Sequence, residues 1–280
     1  LSTHEALRFA LLELSQFDEH ADNPHVEAIM DRCLQFQKQL LQLMAVRYCS
    51  SQGVPMPAAP SNLDLIDQYL LSFRGVPSEP LERQAVTAIM ILFATNPECP
   101  SDLACRAVAA ANGDFGSALL AAMSASCVSE VTRDAEAVFL FLDEIDCEAD
   151  VDDLLEKIEA GGIVPPAMIE ESDCDDADPR EEILAAHCLA LADDREQSGF
   201  ETLVTRIEHA CPASQTTVAW PLARMFHYLG LEHELIAPLL TVSRMPAWTA
   251  HYLEQLGNPL NCEWSYTGPV SRSMDDIEDY

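Results

Sequence analysis

A guanidinium fixed between two packed helices is a grip for a carboxylate, because its planar fork donates two parallel hydrogen bonds and keeps its charge. Arg244 fits that description. It stands in Ser243-Arg244-Met245-Pro246, after the apolar run Leu235, Ile236, Leu239, Leu240 and before Trp248, Tyr252 and Leu256 at i, i+4 and i+8. That spacing predicts two helices meeting at a bend, the second burying one face. Arg180, closing Asp178-Pro179-Arg180 ahead of another helical pattern, is the second candidate. The simpler role for both is a structural ion pair with a nearby Asp or Glu; the sharper role is a pocket for a small carboxylate ligand.

Other residue types offer less. The block EESDCDDAD at 170–178 has the oxygen ligands of a hard-cation site. It lacks the glycine and terminal Glu of a calcium loop, so a solvated acidic loop is the simpler account. His187, His209 and His251 fall in helical patterns and are expected to be satisfied core or surface residues, and no histidine grouping suggests a metal site. The 10 cysteines include no C-x-x-C pair, and most sit among apolar residues. Small buried hydrophobes in a reducing compartment are expected, with neither disulfide framework nor zinc site.

Composition narrows the partners. A formal charge of −32, with Lys38 and Lys157 the only lysines, repels nucleic acid phosphates and anionic lipid. Neither nucleic acid nor membrane is an expected partner, and no apolar run approaches the ~18 residues of a membrane span. A cytoplasmic protein is expected. Such a surface also fits a source with high internal salt, where screening removes self-repulsion, as well as an ordinary acidic cytosolic protein. The chain opens on Leu1 without a signal-peptide pattern, which points to a trimmed start.

The elements that must position these residues read as helices throughout. Apolar positions predict helices over 4–16, from an Asn23 cap with Pro24 in its first turn, and over 64–73, 80–93, 101–112, 116–126, 134–145, 151–159, 179–192, 200–210 and 218–228. No segment alternates with period two for long, so no strand is expected. The 116–126 helix is rich in Ala and Ser, which lets a partner backbone approach closely.

The stretch from Leu229 onward also resembles a family. Citrate synthases carry "LGI…PLFAIARTAGWAAHWLEQ" followed by "YTGP". This chain reads Leu229-Gly230-Leu231, Pro238 to Arg244, Trp248, Ala250-His251, Leu253-Glu254-Gln255 and Tyr266-Thr267-Gly268-Pro269. Upstream, "HEALRFALLELSQFD" looks like "MDVLRTAVSALGLYD", and the 48–75 segment looks like "YRYRQGEPPIPPDPDLSYAENFLYMLFG". Nearly the whole chain is covered; the N-terminal part of the family's large domain is not included.

The resemblance implies an all-α citrate synthase fold. A large helical domain, 1–164 with 246–280, would carry a smaller inserted helical domain, 165–245. It also implies a dimer, for which the 116–126 helix is the expected surface. The family's catalytic set is three histidines and an aspartate base, which hold and enolise the substrates. Carried over motif by motif, those positions are occupied here by Asn96, Val131, Glu171 and Ala219. Ala219 cannot take a proton and Val131 cannot donate to a carbonyl. Arg180 and Arg244 stand where the family holds substrate carboxylates, while 258–265 lacks the family's third arginine.

The expected function is therefore a catalytically degenerate citrate synthase-like protein. It would act as a structural or regulatory subunit, as a homodimer or beside an active paralogue of the tricarboxylic acid cycle enzyme. One alternative is an active acyl-CoA/oxaloacetate condensing acyltransferase or citryl-CoA lyase with a rebuilt site, the only case that would need coenzyme A. The other is a sensor that binds citrate or oxaloacetate through Arg180 and Arg244.

Overall fold

A computed structural model describes residues 3–18, 20, 21, 23–57, 63–95, 100–126, 130–145, 147–170, 178–211 and 214–257. The order is α1 (Thr3–Gln16), α2 (Val26–Gln52), α3 (Leu65–Arg74), α4 (Pro80–Leu92), α5 (Pro100–Ala110), α6 (Phe115–Ala125), α7 (Glu130–Asp143) and α8 (Glu148–Glu159). Then come β1 (Met168–Glu170), α9 (Pro179–Asp194), α10 (Ser198–His209), β2 (Ser214–Thr216), α11 (Ala219–Leu229), α12 (Ile236–Ser243) and α13 (Met245–Leu256). The mainly helical fold read from the sequence is the one observed.

Helix starts follow from side-chain chemistry. The Asp64 carboxylate accepts the Asp67 N–H at 2.8 Å and starts α3, and Asp114 does the same for Ser117 at 2.9 Å ahead of α6. At α4, Glu79 and Glu82 form a reciprocal capping box around Pro80 at the first position. The predicted Asn23 cap is corrected. Asn23 Oδ1 accepts from the His25 N–H at 3.1 Å, a turn rather than a cap, and α2 starts only at Val26 with His25 as N-cap.

Two short strands also correct the reading of no strand. β1 and β2 pair antiparallel, Met168 opposite Thr216 and Glu170 opposite Ser214. Three residues are too few for an alternation to register in sequence. The pair ties the segment before 171–177 to the start of α11, where the Trp220 indole also donates to Pro166 O at 2.9 Å.

The core is organised around α11 and α13. Every residue of α11 except His227 is buried, as expected of a helix enclosed on all sides. On α13 Trp248 is fully buried and donates to Ser101 Oγ at 3.1 Å, Tyr252 is buried against Phe115, and Leu256 is half-buried at the rim. Cys33, Cys49, Cys105 and Cys188 are buried, whereas Cys147 is exposed and Cys211 half-buried. Among the described residues no single helix is long and apolar enough to cross a membrane.

The small residues of α6 serve first inside the chain. Gly116 lies so close to α1 that a Cβ there would stand 2.5 Å from Ser15 Cβ, and Ala118 and Ala122 are fully buried. A stripe of Ala121, Ser124 and Ala125 stays half-buried at the outside.

Candidate functional site

Arg244 is where the sequence placed it. It is the C-cap of α12 and the N-cap of α13, its N–H bonding Thr241 O at 3.2 Å and its carbonyl accepting from Trp248 at 3.0 Å. The side chain is half-buried and lines a small cavity with His4, Ser126, Thr132 and Thr241. That cavity measures about 10 Å³, room for roughly one water molecule.

His4 was not singled out in the sequence, because nothing near it in the chain marks it. Its Nε2 lies 3.2 Å from Met123 O, and its Nδ1 lies 3.5 Å from the Thr241 hydroxyl, which itself donates to Ala237 O. Burial, and secondarily the charge of Arg8, lower its pKa. His4 is therefore neutral near pH 7, with the Nε2 proton directed at the Met123 carbonyl.

Arg180 is committed elsewhere. The Asp178 carboxylate accepts from the Arg180 backbone N–H at 2.9 Å, from Nε at 3.0 Å and from Nη2 at 2.7 Å. These hydrogen bonds hold the Asp178 pKa below the usual carboxylate range against the opposing effect of burial. The guanidinium also stacks over Phe93, 4.9 Å from the ring centre. One edge of the fork is thus filled from within the chain, which is the structural ion pair weighed above.

Of the positions matched to the family's catalytic set, two are described. Val131 is half-buried in α7 and packs on the core; Ala219 is the first residue of α11, with no exposed surface. Their helices adjoin, and Phe141 meets the Trp220 ring edge-on at 6.2 Å. Thr132, next to Val131, shares the Arg244 cavity, while Arg180 reaches Phe93 at the end of α4, three residues before Asn96. Asn96, Glu171 and the 258–269 segment lie outside the described residues, as does most of the acidic block.

The histidines singled out in the sequence serve structure. His251 sits between Arg106 at 2.8 Å and Asp102 at 3.3 Å, His209 bonds Thr205 O at 2.7 Å from an exposed position, and His187 is half-buried. Among the described residues no group of His, Cys, Asp and Glu could hold a metal ion.

Residues 1–262 match the family model for the citrate synthase C-terminal domain. Citrate synthase 2 of Bacillus subtilis is 26% identical over 283 residues, covering 98% of this chain and 75% of that protein. Citrate synthase from Pyrobaculum aerophilum superposes with a TM-score of 0.69 at 20% identity, covering 99% of this chain and 74% of that one. Citrate synthase from Thermotoga maritima does so with 0.67 at 18% identity, over 100% and 75%. The chain belongs to the citrate synthase family.

Proposed function

We propose that this chain is a catalytically degenerate member of its family, acting as a structural or regulatory subunit. The observation that carries the reading is Ala219. It occupies the position matched to the family's base, at the start of a wholly enclosed helix, with a methyl group where a proton acceptor is required. Val131, at a second matched position, packs on the core and offers no donor. A carboxylate sensor is less well supported, because Arg180 already holds Asp178 and the Arg244 cavity is far smaller than a tricarboxylate.

The subunit pairs with a second copy or with an active paralogue in the cytoplasm. The half-buried Ala121, Ser124 and Ala125 stripe of α6 is the part of that helix left for such an approach. Division into 1–164 with 246–280 and a smaller 165–245 unit belongs to the same proposal, as does the absence of coenzyme A use. Purified protein supplied with acetyl-CoA and oxaloacetate tests it: no release of free thiol above the no-enzyme rate is expected. Turnover that depends on the protein overturns the reading.

A further inference from the structure

A second cleft lies at the other ends of the helices that carry the site positions. Phe93, Arg180 and Ala219 stand at the C-terminal end of α4, the start of α9 and the start of α11. The cleft is lined by Ser78 and Glu82 around the start of α4, by Arg195 after the end of α9, by Leu229-Gly230 at the end of α11, and by Arg74. α9 alone has 16 residues, a span of roughly 24 Å, so the two regions are separate. The cleft volume, about 820 Å³, is in the range of small-molecule sites.

Its charge pattern is the reverse of that at three other arginines. At Arg83, Arg206 and Arg224 one guanidinium meets two carboxylates. Here one carboxylate, Glu82, serves two guanidiniums, Arg74 at 2.5 Å and Arg195. Burial would raise the Glu82 pKa, but the Arg74 hydrogen bonds, the Glu79 N–H and both arginine charges outweigh it and hold it low. Glu82 is therefore ionised and neutralises only one of the pair.

Donors are also in excess. A guanidinium has several N–H groups and no acceptor. Arg74, nine-tenths buried, is held through Nη1 by Glu82 and by Leu229 O at 3.1 Å and through Nη2 by the other Glu82 oxygen at 2.7 Å, and among the described residues only its buried Nε has no partner. Arg195 is about 30% exposed, and among the described residues its side chain donates to Glu82 alone. Phe73, Val76 and Pro77 supply an apolar wall.

We propose that this cleft binds a small organic oxyanion, a phosphate or carboxylate, gripped by the free edge of Arg195 beside the buried charge of Arg74. The two parallel donors of Arg195 match either group. Since Arg195 joins α9 to Glu82 of α4, an anion competing for it changes how α9 seats on α4, at a distance from the Arg180 end. The proposal does not depend on whether the chain is catalytically active.

Calorimetric titration of inorganic pyrophosphate and, separately, of citrate into the full chain at constant ionic strength tests it. Saturable one-site binding of either probe is expected, weakened about tenfold or more by Arg195→Ala. Binding should be unchanged in Arg244→Ala. Which probe binds assigns the phosphate or the carboxylate class. Arg195→Lys, keeping the charge without the fork, should bind at intermediate strength, and an unchanged melting temperature in both Arg195 variants excludes unfolding as the cause. Failure of both probes at millimolar concentration overturns the site. So does binding that survives Arg195→Ala or is lost in Arg244→Ala.

Discussion

Arg224 is a residue whose removal should be felt strongly. It is 7% exposed, donates to Glu201 through Nε at 3.1 Å and through Nη2, and lies 3.6 Å from Glu208. Glu201, equally buried, also accepts from Tyr228 Oη at 2.5 Å. Burial and the neighbouring Glu201 push the Tyr228 pKa up, so the phenol stays protonated and the hydrogen bond persists. Arg224→Met leaves Glu201 as an uncompensated buried charge, which costs about 3–5 kcal/mol. For a chain of this size that is a fall in melting temperature of roughly 10 °C.

The double variant Arg224→Met/Glu201→Leu removes that buried pair and leaves the Tyr228 hydroxyl without its acceptor, a cost of about 1–3 kcal/mol, with the half-buried Glu208 also parted from Arg224. Urea unfolding of the wild type, both single variants and the double variant measures the coupling. The reasoning fails if Arg224→Met costs less than about 1 kcal/mol, or if the double variant is as unstable as the single.

Further expectations follow from the same geometry. Gly116→Ala forces a methyl group toward Ser15, and a loss of about 1–3 kcal/mol is expected, checked by thermal melting. Trp248→Ala empties the α13–α5 contact at a fully buried position, with a loss of about 3–5 kcal/mol measurable in urea. Glu82, Asp114 and Asp178 have pKa values below their ordinary ones. Their stabilisation is complete above the unfolded carboxylate range and lost as pH falls through the lower folded values. Glu82→Gln should therefore destabilise at pH 7 and much less near pH 2, as read from melting curves. Burial raises Glu208 instead, so its stabilising contribution is present below the ordinary Glu value and lost as pH rises through the higher folded value, and Glu208→Gln should flatten stability against pH across that interval.

Helical periodicity made most of this fold legible: Trp248 and Tyr252 fell on the buried face, and Arg244 at the bend, as their spacing required. Motif order alone matched Ala219 and Val131 to the family's catalytic positions. The β1–β2 pair stayed hidden because three residues carry too little pattern and the partners lie far apart in the chain, Met168 opposite Thr216. Asn23 misled because a turn and a cap use the same side-chain oxygen. The Arg74–Glu82–Arg195 cleft was invisible for a different reason: Arg195 lies 113 positions from Glu82, and only the packing of α9 on α4 brings them together. His4 likewise reaches Thr241 across 237 positions. The capping box at Glu79 and Glu82, in contrast, was written locally.

The most direct test of the central claim is release of free coenzyme A when the purified chain is given acetyl-CoA and oxaloacetate. If Ala219 and Val131 stand at the positions matched to the family's base and a second catalytic residue, as proposed, no release above the protein-free rate is predicted, and Ala219→Asp alone should not create it. Steady turnover by the wild-type chain would contradict the account and would mean that another group in this chain removes the proton.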